Sequence, residues 1–128
     1  MSSTEIKPTD SELEILQIIW QKNEATVREV HDELVEKKQV GYTTTLKLMQ
    51  IMHAKGLLIR NTETKSHLYE AAVSQEKTQK FMLNKVIDSL FLGSGFELIM
   101  LALNSKKLAK KEMEHLKKYF KSLDKKSK

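Results

Sequence analysis

Three consecutive threonines, Thr43, Thr44 and Thr45, open a segment that reads as an amphipathic helix and closes on Gly56. Threonine is a poor helix former, because its branched β-carbon loses rotamer freedom there. Its use at a helix start therefore asks for a chemical reason. A hydroxyl in that place can cap free backbone N–H groups. It can also meet a phosphate or a base edge, and the threonine methyl can touch the methyl of thymine. Lys47 lies three and four residues beyond Thr44 and Thr43, so the three side chains share one surface. Thr45 falls on the opposite side with Leu48, Met49 and Met52 and is expected to point inward. A cap with solvated threonines accounts for the same run, and these residues alone leave both readings open.

The remaining chemistry-bearing residues form no catalytic pattern. His31, His53, His67 and His115 are scattered without ligand spacing, and the chain has no cysteine, so neither a metal nor any other cofactor is expected. The carboxylates of Glu12/Glu14 and Asp32/Glu33/Glu36 fall on polar helix faces and read as solvated surface rather than an acid–base pair. Gly93-Ser94-Gly95 is a helix break, not a phosphate loop. No enzyme and no small-molecule substrate is expected.

The elements that must position the threonines follow from the pattern. Thr9-Asp10-Ser11-Glu12 is a capping box opening a helix from Asp10 to Lys22. Thr26-Val27-Arg28-Glu29 is a second, followed by the stripe Val27, Val30, Leu34. The third helix covers residues 43–55, with Gly56 as a left-handed cap. Leu57, Ile59, Leu68 and Tyr69 then flank a polar TETKS, as in a two-stranded hairpin. Three helices and a hairpin make the winged helix-turn-helix plan, in which the third helix enters the DNA major groove by its N-terminal residues. Charge supports it. Residues 1–36 carry a net −6, residues 37–72 a net +4 and residues 73–128 a net +7, so the third helix and hairpin lie in a basic block.

Beyond residue 73 the chain reads as helix over 74–92, a short apolar piece FELIMLAL, and a lysine-covered helix. Ala109, Met113, Leu116, Phe120 and Leu123 form an a/d seam along that last helix. The helix over 74–92 is apolar on more than one face and is expected to be buried on two sides. Some fifty residues cannot bury a large core alone, which points to pairing of two copies. Phe81, Val86, Leu90, Phe91, Leu116 and Phe120 are the expected dimer contacts. The fold class expected is thus mainly α with a small β-hairpin wing: a DNA-binding domain over 1–72 and a helical dimerisation domain with a basic tail over 73–128. Two other readings stay open: a winged helix used for protein contact, with the basic tail on an acidic partner, or a basic amphipathic helix on a membrane surface. No apolar run approaches the ~18 residues of a membrane span, and MSSTEIKPTD lacks a signal-peptide layout. A cytoplasmic protein is expected.

PTDSELEILQIIWQKNEATVREVHDEL, GYTTTLKLMQIMHAKGLL and HLYEA together resemble the penicillinase-repressor family of winged-helix repressors over about residues 8–72. Trp20 closing the first helix, A-T-V-R-E-V opening the second, and Y-T-T and K-G-L bounding the third carry the likeness. The second half is similar in layout to that family's dimerisation domain. The resemblance implies a homodimeric bacterial repressor on a palindromic double-stranded DNA operator, with a membrane metalloprotease sensor as a further partner. By position it assigns DNA contact to Tyr42, Thr43, Thr44 and Lys47, and phosphate contact to Arg28 and Lys65. The chain departs from the pattern at Ile51, where the family usually carries a basic residue, and at Ala71, where it carries proline. The hairpin tip lacks the usual glycine. The chain also lacks the Asn-Phe bond cut within the C-terminal domain of β-lactam-responsive members and the paired cysteines of copper-responsive ones.

Overall fold

A computed structural model of the chain describes residues 6–63, 65–105 and 108–126, with Lys125 and Lys126 described by their backbone alone. The chain divides into two compact units, one ending at Leu83 and the other beginning at Asn84.

The first unit holds α1 (Asp10–Lys22), α2 (Val27–Leu34), α3 (Tyr42–Lys55), β1 (Leu58–Asn61), β2 (Leu68–Ala71) and the start of α4 (Gln75–Leu90). Both capping boxes form. Thr9 Oγ1 accepts from the Glu12 N–H at 3.2 Å while Glu12 Oε1 accepts from the Thr9 N–H at 2.9 Å. Thr26 and Glu29 repeat the same reciprocal pair. Each box satisfies two orphan donors and fixes where its helix begins. Gly56 ends α3 at φ 89°, a left-handed conformation that strains any residue with a β-carbon.

The stripes of the three helices meet in one core of Ile15, Leu16, Ile19, Val30, Leu34, Met49 and Met52, joined by Leu57, Leu58 and Tyr69. β1 and β2 pair antiparallel with Leu58 opposite Ala71 and Arg60 opposite Tyr69. The segment between α1 and α2 joins this sheet. Ala25 N–H donates to Tyr69 O at 3.0 Å, and Tyr69 N–H donates to Ala25 O at 2.8 Å. Trp20 Nε1 reaches across to Val73 O at 3.0 Å, tying the end of α1 to the segment after β2. The six helices and one two-stranded hairpin of the described residues match the winged helix-turn-helix plus helical region expected. The hairpin differs in detail: Leu57 and Leu58 are both buried and Ile59 is exposed, because Leu57 still belongs to the turn out of α3, its N–H bonded to Met52 O.

Glu12 has a second task besides capping. Its carboxylate is buried and receives Lys55 Nζ on both oxygens at 2.8 Å, pinning the start of α1 to the end of α3. Burial pushes the Glu12 carboxyl up, but the Lys55 hydrogen bond and charge and the Thr9 N–H outweigh it and hold it below the ordinary 4.5. A carboxyl with a lower pKa folded than unfolded adds stability above its unfolded value, and that stability is lost as pH falls through the folded one. Glu12→Gln should therefore cost roughly 1–3 kcal/mol near neutral pH. Thermal melting followed by circular dichroism should show the two proteins converging as pH drops below the usual carboxylate range. A gap that persists at low pH would mean the pair contributes packing and not charge.

In the second unit α4 continues and is followed by α5 (Gly95–Asn104) and α6 (Lys110–Lys126). Ser94 Oγ caps α5 by accepting from the Glu97 N–H at 3.1 Å. Among the described residues of this unit none is buried. Leu90 is 70% exposed and Phe96 71%, while Met113 and Leu116 are half-buried. In α4 only Thr78 is buried, so within one chain this helix does not gain the two-sided cover that its apolar pattern calls for. No helix among the described residues is long and apolar enough to cross a membrane.

Candidate nucleic-acid interface

α3 forms a ridge on the first unit. Thr45, Met49 and Met52 hold it to the core, and Thr43, Thr44, Lys47, Gln50 and Ile51 stand on its exposed side. The helix begins one residue before the expected 43, and its N-cap is Gly41, with no side-chain cap bond. The threonines are therefore not the cap. Thr45 is the inward one, as expected: its Oγ1 lies 3.0 Å from His31 Nδ1, a buried pair that locks the start of α3 against α2. Thr43 and Thr44 are left with their hydroxyls on the exposed surface, beside free N–H groups of the helix start.

Two hollows flank the ridge. The one towards the wing, about 410 Å³, is lined by Arg28 at the start of α2, by Tyr42, Leu46 and Gln50 of α3, and by Arg60, Lys65 and His67 of the hairpin. The Arg28 guanidinium lies over the Tyr42 ring, 4.3 Å from its centroid, and the His31 ring packs edge-on against the same tyrosine. This cation–π contact holds a planar donor fork at the rim of the hollow. The other hollow, about 420 Å³, lies between α3 and the start of α1 and is lined by Thr9, Ser11, Thr44, Lys47, Leu48 and Ile51. Among the described residues, no carboxylate lines either one.

Of the six residues singled out from the sequence, the fold thus brings Arg28, Tyr42 and Lys65 into one hollow. It places Thr44 and Lys47 in the other and Thr43 on the ridge between them. Arg60, His67 and Gln50 join them unforeseen as a set. Arg60 is brought in by its pairing opposite Tyr69, a register the sequence does not reveal. The acidic residues of α2 and of the turn after it lie elsewhere: Glu29, Asp32, Glu33 and Glu36 line a separate surface with Lys22, which is paired to Glu33 at 3.0 Å. Among the described residues, the lining of both hollows beside α3 is made of cations, hydroxyls and neutral side chains. No cluster of three or more His, Asp or Glu able to hold a metal occurs among the described residues.

A third helix flanked by a hairpin wing, with basic side chains converging beside it, defines a winged helix-turn-helix protein. The chain belongs to the penicillinase repressor family, whose model matches residues 8–122 and so spans both units. It is 24% identical to a penicillinase repressor of Staphylococcus aureus over 130 aligned positions, covering 98% of this chain and all of that protein. It is 26% identical to the methicillin resistance regulatory protein MecI of S. aureus, over 84% of this chain and 88% of that one. A third similarity, 30% over 61 residues, is to the transcriptional regulator BlaI of Mycobacterium tuberculosis, over 47% of this chain and 44% of that protein. The family is one of bacterial transcriptional repressors and not of enzymes.

Proposed function

We propose that the protein is a cytoplasmic repressor that binds a palindromic DNA operator as a homodimer, laying α3 of each copy in the major groove. The observation that carries this reading is the ridge of α3 between two hollows that no carboxylate lines among the described residues, the wing-side one holding Arg28, Arg60, Lys65 and His67. A duplex seated on the ridge would run one phosphate strand past the wing-side hollow. Thr43, Thr44 and Lys47 would face the groove, where hydroxyl and ammonium donors meet base edges or phosphates. Two copies would address half-sites roughly 10 bp apart or a multiple of that. Occupancy would then exclude polymerase. The residues up to 72 act as the reader and those from 73 as the dimerisation domain.

Dimerisation is supported by the apolar side chains that one chain leaves open to solvent: Val86, Leu90, Phe96, Ile99, Leu101 and Phe120. An isologous interface would cover them in both copies at once and supply the two-fold axis a palindrome needs. Phe81, Phe91 and Leu116, half-buried within the chain, would complete their packing there. Leu90→Asp should yield a protein that is monomeric by light scattering, since a carboxylate in an apolar interface must be desolvated without a partner. A variant still dimeric would place the interface off α4.

Fluorescence-anisotropy titration against DNA from upstream of the protein's own gene, with scrambled duplex as control, tests the DNA reading. Tight binding to the upstream fragment, falling steeply with salt, is expected. Equal binding of both duplexes at every salt concentration would remove operator recognition, and no binding at low salt would remove DNA as the partner.

A further inference from the structure

Ile51 breaks the chemistry of its surroundings. It is 44% exposed on the side of α3 that carries Thr44 and Lys47, seven and four residues before it and so on the same helical face. Ile51 and Leu48 give the hollow between α3 and α1 a hydrocarbon side, and among the described residues Lys47 is the single cation lining it. The wing-side hollow is the opposite, with two arginines, a lysine and a histidine. A phosphate strand is well served on the wing side and poorly on this one. What an exposed aliphatic side chain can match on a duplex is the one apolar group that base pairs present in the major groove, the C5-methyl of thymine.

We propose that Ile51 is a specificity-determining contact that reads a thymine methyl at one position of each half-site. This deepens the operator reading above and rests on it. Thymine is selected there because its methyl is removed from water against Ile51. Cytosine and uracil present no methyl, and a purine offers only polar edges. Ile51 discriminates within the register that the phosphate contacts set. The placement also fits the side chain: a β-branched residue on a helix has one dominant rotamer, so a fixed methyl surface is offered at little entropic cost.

The test begins with duplexes selected from a randomised pool by the full-length protein. In the selected site each thymine of one half-site is replaced in turn by deoxyuridine, which removes the methyl and keeps the base-pairing edge. At one position the wild-type protein should lose about fourfold in affinity, the worth of one buried methyl-sized group. Ile51→Ala should bind the thymine duplex more weakly and be indifferent to deoxyuridine at that position, with an unchanged salt slope. Ile51→Val should keep most of the discrimination. Indifference of the wild type to every deoxyuridine would overturn the proposal, as would full sensitivity retained in Ile51→Ala. Failure to select any duplex at low salt would instead overturn the operator reading itself, so the two failures are told apart.

Discussion

Replacing Arg28 by alanine should weaken operator binding by roughly 10- to 100-fold, the worth of one charge-assisted hydrogen bond to phosphate. The loss should be the same for every sequence, and the slope of log affinity against log salt should fall by about 0.9, one phosphate fewer neutralised. Arg28 is exposed at the start of α2, so the fold has no need of it, and among the described residues it makes no ion pair that binding would have to break. Its guanidinium is already held over Tyr42, so little freedom is lost on contact. Arg28→Lys should recover the slope but only part of the affinity, because an ammonium neither stacks on the ring nor forks around a phosphate. Tyr42→Ala should act in the same direction but more weakly, by releasing the arginine. Lys47→Ala offers the contrast: if Lys47 reads a base edge, its loss relaxes sequence preference at one position by about 1–3 kcal/mol. Anisotropy titrations of operator and scrambled duplex at several salt concentrations separate these outcomes. Wild-type affinity in Arg28→Ala would take the phosphate strand away from the wing-side hollow.

What could be read in the chain and what could not divides along sequence distance. The helices of the first unit were legible because their signals are local: two capping boxes, stripes at helical spacing and a glycine at the end of α3. The inward turn of Thr45 followed from the same periodicity. Capping by a threonine did not hold, since Gly41 reaches the N-cap first and helical φ/ψ begin at Tyr42. The wing was legible as a hairpin but not in register. Its strands are four residues each, too short for alternation to decide between Leu58 and Ile59 as the buried position. Burial of His31 could not be read either: it follows a valine on a polar-looking helix, and only the fold brings Thr45 to its Nδ1. Arg60 and His67 stand far from Arg28 in sequence, and their convergence on one hollow needs the Arg60–Tyr69 pairing. In the second unit the apolar pattern of α4 and α5 was plain, yet a pattern that calls for burial does not say whether the same chain or a second copy provides it.

Tyr69→Ala should cost about 3–5 kcal/mol of stability, the usual toll for truncating a buried aromatic and leaving a cavity. Against a total of roughly 5–15 kcal/mol that is a large share. In a domain of this size it should lower the melting temperature by more than about 12 °C. Tyr69 is 1% exposed and stands at the centre of the sheet, its backbone bonded to Ala25 on one side and paired opposite Arg60 on the other. It also lines the wing-side hollow, so the residue that anchors the wing in the core forms part of the surface proposed for phosphate. Loss of the ring should therefore loosen Arg60, Lys65 and His67 together, and DNA affinity should fall even at temperatures where the variant is still folded. Tyr69→Phe separates the two effects. It keeps the packing and should melt within a few degrees of the wild type, as volume-conserving changes do. Circular dichroism melts and anisotropy titrations on both variants decide the matter. An alanine variant as stable as the wild type would show that the core does not depend on this ring. A phenylalanine variant that melts normally but binds DNA poorly would move the phenol oxygen from the core to the interface.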